Sequence, residues 1–128
     1  MADDNRQVVE RYWQALARKD FDAAAKELHS EFTEDWPQSG EHIVGVYNWL
    51  VMVRAHPTFP KITMRSHTGD GSLWVSEAHF DYPVAGGSAP FEVCSVQQLR
   101  DGRITHITEY FGAPFEPAAW RAKFVQRR

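Results

Sequence analysis

A carboxylate set among apolar neighbours is the first feature of this sequence with chemical consequence. Residues 91–111 read FEVCSVQQLR-DG-RITHITEYF, two alternating runs joined by Asp101-Gly102. An Asp-Gly pair between such runs signals a tight β-hairpin, because both central turn residues must accept positive φ. If those two residues are the whole loop, Arg100 faces Arg103, and Val96/Ile107, Cys94/Glu109 and Glu92/Phe111 share one face. Leu99/Ile104, Gln97/His106, Ser95/Thr108 and Val93/Tyr110 share the other. A bulge would slip this pairing by one. On the first face Glu109 is a lone acid in a mostly apolar row. An apolar cavity raises a carboxyl pKa toward the range useful for general acid/base work. The structural alternative is a buried acid bonded to Tyr, Trp or backbone donors, or a rim residue in water.

His79 and Asp81 stand at i, i+2 on a strand and therefore on one face. An Asp beside an imidazole fixes its tautomer and supports it as a base. The alternate face of the same strand, Trp74, Ser76, Ala78, Phe80 and Tyr82, is more apolar. If that face lines the core, His79 and Asp81 point outward. Trp36, Tyr47 and Phe111 are candidate pocket walls, with Glu34 and Trp13 as further candidates of the same kind. Each also reads as plain core. Cys94, expected beside Glu109, reads as a small core residue, since a neighbouring carboxylate discourages the thiolate. The six His, at 29, 42, 56, 67, 79 and 106, show no HxH, HxxxH or His–Cys spacing, so a metal site has no support. No phosphate-cradling glycine loop and no G-x-S-x-G motif occurs, and no cofactor is expected.

These side chains need elements to hold them. Val8, Val9, Tyr12, Trp13, Leu16 and Ala17 form one apolar helical stripe, predicting a helix over residues 4–18 with Asp3 and Asp4 as caps. Asp20 caps a second helix over 21–28. Residues 32–36 alternate as a short strand that puts Phe32, Glu34 and Trp36 on one face. Residues 37–40 break it, and Ser39 or Gly40 caps a third helix over 41–55, apolar nearly all round. Period two begins near Phe59, turns at residues 68–72, and resumes over 73–82 before a loop at 83–88 and the hairpin. After Gly112-Ala113-Pro114, Pro117 starts a short final helix in which Trp120 and Phe124 form a docking edge. Helices segregated from an antiparallel meander predict an α+β fold, with the helices on one face of a curved sheet and a cone-shaped interior.

The 128 residues form one expected domain, 1–128, with 43% hydrophobic and 13% aromatic residues. A net charge of −3 and the absence of a basic stripe give nucleic-acid binding little support. A single cysteine excludes an internal disulfide and fits a reducing compartment. The N-terminus lacks the basic start and apolar core of a signal peptide, and no apolar run approaches the roughly 20 residues of a membrane span. A cytoplasmic protein without membrane contact is the expectation.

The chain resembles the nuclear-transport-factor-2-like superfamily in its SnoaL-like, polyketide-cyclase-like branch. The resemblance rests on VVERYWQALARKDFDAAAKELHSEF, WPQSGEHIVGVYNW and LRDGRITHITEYFGAPFEPAAWR, in that order. It implies a conical α+β barrel, a pocket between sheet and helices, and a homodimer through the convex sheet face. It also implies an acid, or an Asp–His pair, at work inside the cone. His106, Gln97, Ser95 and Thr108 then fit a polar, wet dimer interface. Two functions remain open. One is binding of a small hydrophobic molecule with cofactor-free isomerase, cyclase or dehydratase chemistry at Glu109, with His79 and Asp81 as alternates. The other is a non-catalytic binding or dimerisation module. A cavity of roughly 300 Å³ or more beside Glu109 separates them.

Overall fold

A computed structural model describes residues 2–128, with side chains from Asp4 onward. Asp3, expected as a cap, therefore lies outside the described side chains. Helix α1, Ala2–Ala17, presents the predicted stripe inward, with Val9 and Trp13 fully buried and Val8, Tyr12 and Leu16 nearly so. Burying each such side chain contributes about 1.5–3 kcal/mol over leaving it in water, so this stripe anchors the helix. Helix α2 is shorter than expected, Phe21–Ala25, capped by Asp20, whose carboxylate accepts from the Ala23 N–H.

Strand β1 begins early, Leu28–Trp36, and is followed by a strand where a helix was expected: β2, Glu41–Val44, pairs antiparallel with β1. Helix α3, Val46–Ala55, starts only at Gly45, whose φ of 90° lets the chain turn out of β2. The residue-41 start failed because His42, Ile43 and Val44 satisfy β1's edge as a strand, a long-range gain that helical spacing does not report. Strands β3, Lys61–Asp70, β4, Leu73–Val84, β5, Gly87–Arg100, and β6, Arg103–Gly112, complete one sheet in the order β2-β1-β6-β5-β4-β3. Every pairing is antiparallel except β1 with β6. The sheet is curved and unclosed, with β2 and β3 as its edges, and the helices pack on its concave side.

The Asp101-Gly102 turn forms as predicted, with φ of 54° and 73° and Arg100 opposite Arg103. One residue later the expected register fails. Leu99 pairs with Ile104, but Gln98 pairs with His106, leaving Thr105 as an extra residue whose hydroxyl donates to the Gln98 carbonyl at 3.0 Å. Beyond this bulge every pair is slipped by one: Gln97 faces Ile107, Ser95 faces Glu109, and Cys94 faces Tyr110. The concave face therefore combines Val93, Ser95, Gln97 and Leu99 of β5 with Ile107, Glu109 and Phe111 of β6. Glu92, Cys94 and Val96 point to the convex side. The C-terminal segment also departs from expectation. It forms a 3₁₀ turn, Ala119–Phe124, with Trp120 and Phe124 more than 70% exposed, so its predicted docking edge is not used in this chain.

Candidate functional site

Between α1, α3 and the concave sheet lies a cavity of about 540 Å³. Tyr12 and Leu16 reach it from α1, and Trp49, Met52 and Val53 from α3. The sheet contributes Trp36, Phe80, Tyr82, Phe91 and Phe111, together with Glu34 and Glu109. The β1–β2 turn forms part of the rim. There the Gln38 side chain donates to the Phe111 carbonyl at 2.7 Å and accepts from the Phe111 N–H, tying the rim to the end of β6.

The two acids meet because β1 and β6 are neighbours. Glu34 pairs with Ile107 two residues from Glu109, on the same face. Both are buried, 2% and 6% exposed, and close enough for the charge of Glu109 to act on Glu34. Two negative charges this near in a buried site repel, which favours a proton on one of them. Burial pushes the Glu34 carboxyl well above the usual range, and the nearby Glu109 pushes it further, against a pull downward from the Trp36 indole. Burial raises Glu109 as well, while bonds from Glu34, Ser95 and Trp36 hold it down. Trp36 Nε1 donates to Glu34 Oε2 at 2.8 Å. Glu34 Oε1 is the buried side-chain oxygen without a partner among the described residues, an environment that suits the neutral carboxyl better than the ionised one. Two carboxyls that cannot both ionise cheaply form an acid and a base side by side. The Tyr82 phenol, pushed up to about 12 by burial and by Glu109, stays neutral beside them. No Lys or Arg side chain lines this cavity among the described residues.

Of the side chains singled out in the sequence, Glu109, Glu34, Trp36 and Phe111 come together here. The others do not. His79 and Asp81 lie on the convex face, where His79 Nε2 meets Asp81 at 3.1 Å and Nδ1 meets Glu92, which is also held by Arg65. The bond to Glu92 raises the His79 pKa. Cys94 is turned to that same outer side by the bulge, away from Glu109. Trp13 is core, with no surface on the cavity, and Tyr47 is 78% exposed on the outer side of α3. Ser95 and Gln97, expected at a wet interface, are fully buried on the concave face. Sequence reading missed Ser95 as the partner of Glu109, because that contact depends on the extra residue at Thr105. It also missed Phe80, Tyr82 and Phe91, although the alternation of β4 had already placed the first two on the apolar face. Among the described residues no cluster of His, Cys, Asp and Glu is arranged to hold a metal ion, and no helix is long and apolar enough to cross a membrane.

A family model described as a SnoaL-like domain matches residues 9–107. Among solved structures, the chain is similar to an NTF-2 like protein of unknown function from Burkholderia xenovorans LB400, with 34% identity over 98% of this chain and 96% of that one, and a TM-score of 0.83. It is also similar to a candidate ketosteroid isomerase from Kribbella flavida DSM 17836, at 18% identity, 99% and 91% coverage and a TM-score of 0.88. An LEH-like epoxide hydrolase from M. tuberculosis matches at 22% identity, 86% and 84% coverage and a TM-score of 0.75. No curated relative matches the chain. The last two structures, at these identities, bear on the fold alone.

Proposed function

The chain belongs to the SnoaL-like domain family, and on that premise we propose that it binds a small, largely apolar molecule in its cone and performs cofactor-free acid/base chemistry on it. The observation that carries this reading is two buried carboxyls, Glu34 and Glu109, on neighbouring strands inside the aromatic cavity, both with raised pKa. The ionised carboxyl removes a proton from carbon next to a substrate carbonyl, and the protonated one donates to the developing oxygen anion. Returning the proton elsewhere on the same skeleton completes an isomerisation, with no group consumed. The charge of the wall narrows the substrate. Two acids with no Lys or Arg beside them disfavour carboxylates and phosphates, and the aromatic rings suit a flat, cyclic skeleton. The names of the fold neighbours, a candidate ketosteroid isomerase and an epoxide hydrolase, lie within the same small-molecule chemistry.

Hydron exchange tests this directly. Cyclic ketones and lactones incubated in deuterated buffer should exchange their α-hydrogens faster with the protein than without it. Glu109→Gln and Glu34→Gln should each reduce that rate by about 10²-fold or more. A thermal shift with no exchange on any of these compounds would replace catalysis by simple binding. A second copy docking on the convex face, around Tyr110, Cys94 and Val96, stands as a separate proposal. A monomer by sedimentation equilibrium at micromolar concentration would discard it.

A further inference from the structure

The cavity wall includes one histidine, His56, which the acid/base chemistry does not use. It stands where α3 ends. Pro57 follows it, and the residue before a proline is pushed out of helical backbone. His56 accordingly has φ of −61° and ψ of 118°, which stops the helix and directs the chain across the cavity mouth toward Phe59. Unlike Glu34 and Glu109, His56 is exposed, so it marks the outer end of a cavity whose inner end holds the acids. Its ring is fixed by two others. It stacks on Tyr82, with centroids 5.8 Å apart and planes at 23°, and meets Phe59 edge-on at 5.7 Å and 83°.

From Tyr82 the row of rings continues inward. Phe80 lies 6.2 Å from Tyr82, Phe111 lies 6.1 Å from Phe80, and Trp36 lies 6.2 Å from Phe111. Trp36 in turn donates to Glu34 at 2.8 Å. An aromatic wall thus runs from His56 to the acids. A flat molecule lying along it, with its reacting end at the acids, brings its other end toward His56. The polarity of that end is set by the backbone. The Thr58 N–H donates to His56 Nδ1 at 3.1 Å. A ring nitrogen that accepts carries no hydrogen, which places the single hydrogen of the ring on Nε2. The Thr58 contact is the one hydrogen bond of the His56 ring among the described residues, so Nε2–H is left to donate. Two other donors of the wall are already committed, Trp36 Nε1 to Glu34 and the Gln38 amide to the Phe111 carbonyl.

We propose that His56 determines specificity: its Nε2–H, held in that tautomer by the Thr58 N–H, binds a hydrogen-bond acceptor at the outer end of the ligand. The site then favours flat, apolar ketones that carry a second accepting oxygen across the molecule from the reacting carbonyl. This rests on the reading of the cavity as a ligand site with Glu34 and Glu109 at its inner end, and it names the ligand class. An apolar group in the same place would cover the Nε2–H and strip it of water without replacing the bond. Because the free imidazole is bonded to water, the net preference is that of one neutral hydrogen bond, about fivefold in affinity.

Two matched pairs of ketones, of different length, test this. One is β-tetralone bearing a methoxy or an ethyl group on the far side of its benzene ring. The other is cyclohexanone bearing a para-methoxyphenyl or para-ethylphenyl group opposite its carbonyl. The methoxy oxygen only accepts, and ethyl matches it in size. Affinity is read without turnover, from quenching of the tryptophan fluorescence, in wild type and in Glu109→Gln. In at least one pair the methoxy compound should bind about fivefold tighter than its ethyl partner. His56→Phe keeps a ring against Tyr82 and removes the donor, and should bring that ratio to about one. His56→Gln, with an amide N–H, should restore part of it. Nitrogen NMR of the neutral ring should find the hydrogen on Nε2. A hydrogen on Nδ1, a ratio near one in both pairs, or a ratio that His56→Phe leaves unchanged overturns the proposal, as does a failure of all four compounds to bind. Absence of hydron exchange with the methoxy preference intact discards the acid/base reading and keeps this contact; exchange with equal affinities does the reverse.

Discussion

Replacing Glu34 with Gln should make the protein more stable at neutral pH, although it removes a fully buried, bonded side chain. The folded-state pKa of Glu34 lies well above the ordinary value of 4.5, first because of burial and then because of Glu109. Its favourable contribution is therefore complete below 4.5 and is lost as pH rises through the folded value. Each pH unit in that window costs about 1.4 kcal/mol per ionising group. Glu109 is raised in the same sense. The wild type should lose stability over this range with a slope approaching about 1.4 kcal/mol per unit while the folded Glu34 keeps a proton that the unfolded chain has given up. In Glu34→Gln the amide oxygen still accepts from Trp36 and the amide N–H can donate to Glu109 without a proton being held there. We expect a shallower slope and a gain on the order of 1–2 kcal/mol at neutral pH. Urea unfolding followed by the fluorescence of the five Trp, repeated across pH, measures both. His67, with a lowered pKa, and His79, with a raised one, tilt the profile in opposite senses, but both are present in each protein and cancel in the difference. A wild-type profile parallel to that of the variant, or a variant less stable at neutral pH, would refute the raised pKa of Glu34.

Three further outcomes follow from particular contacts. Trp36→Phe deletes the donor to Glu34 Oε2 and leaves both oxygens without a fixed partner; stability should fall by about 1–3 kcal/mol, read by urea unfolding at neutral pH. Gly69→Ala places a Cβ 2.3 Å from the Leu73 carbonyl oxygen and 2.7 Å from Trp74 Cα, both backbone atoms that cannot swing aside; the thermal midpoint should drop by an amount matching about 1–3 kcal/mol. His79→Ala removes an exposed, screened ion-pair network on the convex face; stability should change by under about 0.5 kcal/mol and hydron exchange should match wild type.

Much of the architecture could be read from periodicity. The stripe on α1, the alternation of β4 and the Asp101-Gly102 turn each follow from local rules that tertiary contacts did not override. The β1 face carrying Phe32, Glu34 and Trp36, and the inward direction of Glu109, were legible in the same way. Local rules failed where a segment's partner lay far away in sequence. Residues 41–44 have helical spacing, yet they become a strand because β1 offers an unpaired edge. Trp120 and Phe124 have docking spacing, yet they find no surface within this chain.

The acid of the candidate site was already visible in the sequence as Glu109 within an apolar row. Its partners were not. A single extra residue at Thr105 shifts the hairpin register by one, exchanging Cys94 for Ser95 beside Glu109 and turning the Gln97 face inward. The parallel pairing of β1 with β6 brings in Glu34, 75 positions away in the chain, through a contact with no local signature. Amino-acid order thus determined that Glu34 and Glu109 could do chemistry and that both face inward. Only the tertiary structure decided that these two are buried side by side, because strand order and register depend on the whole sheet's hydrogen bonding and burial.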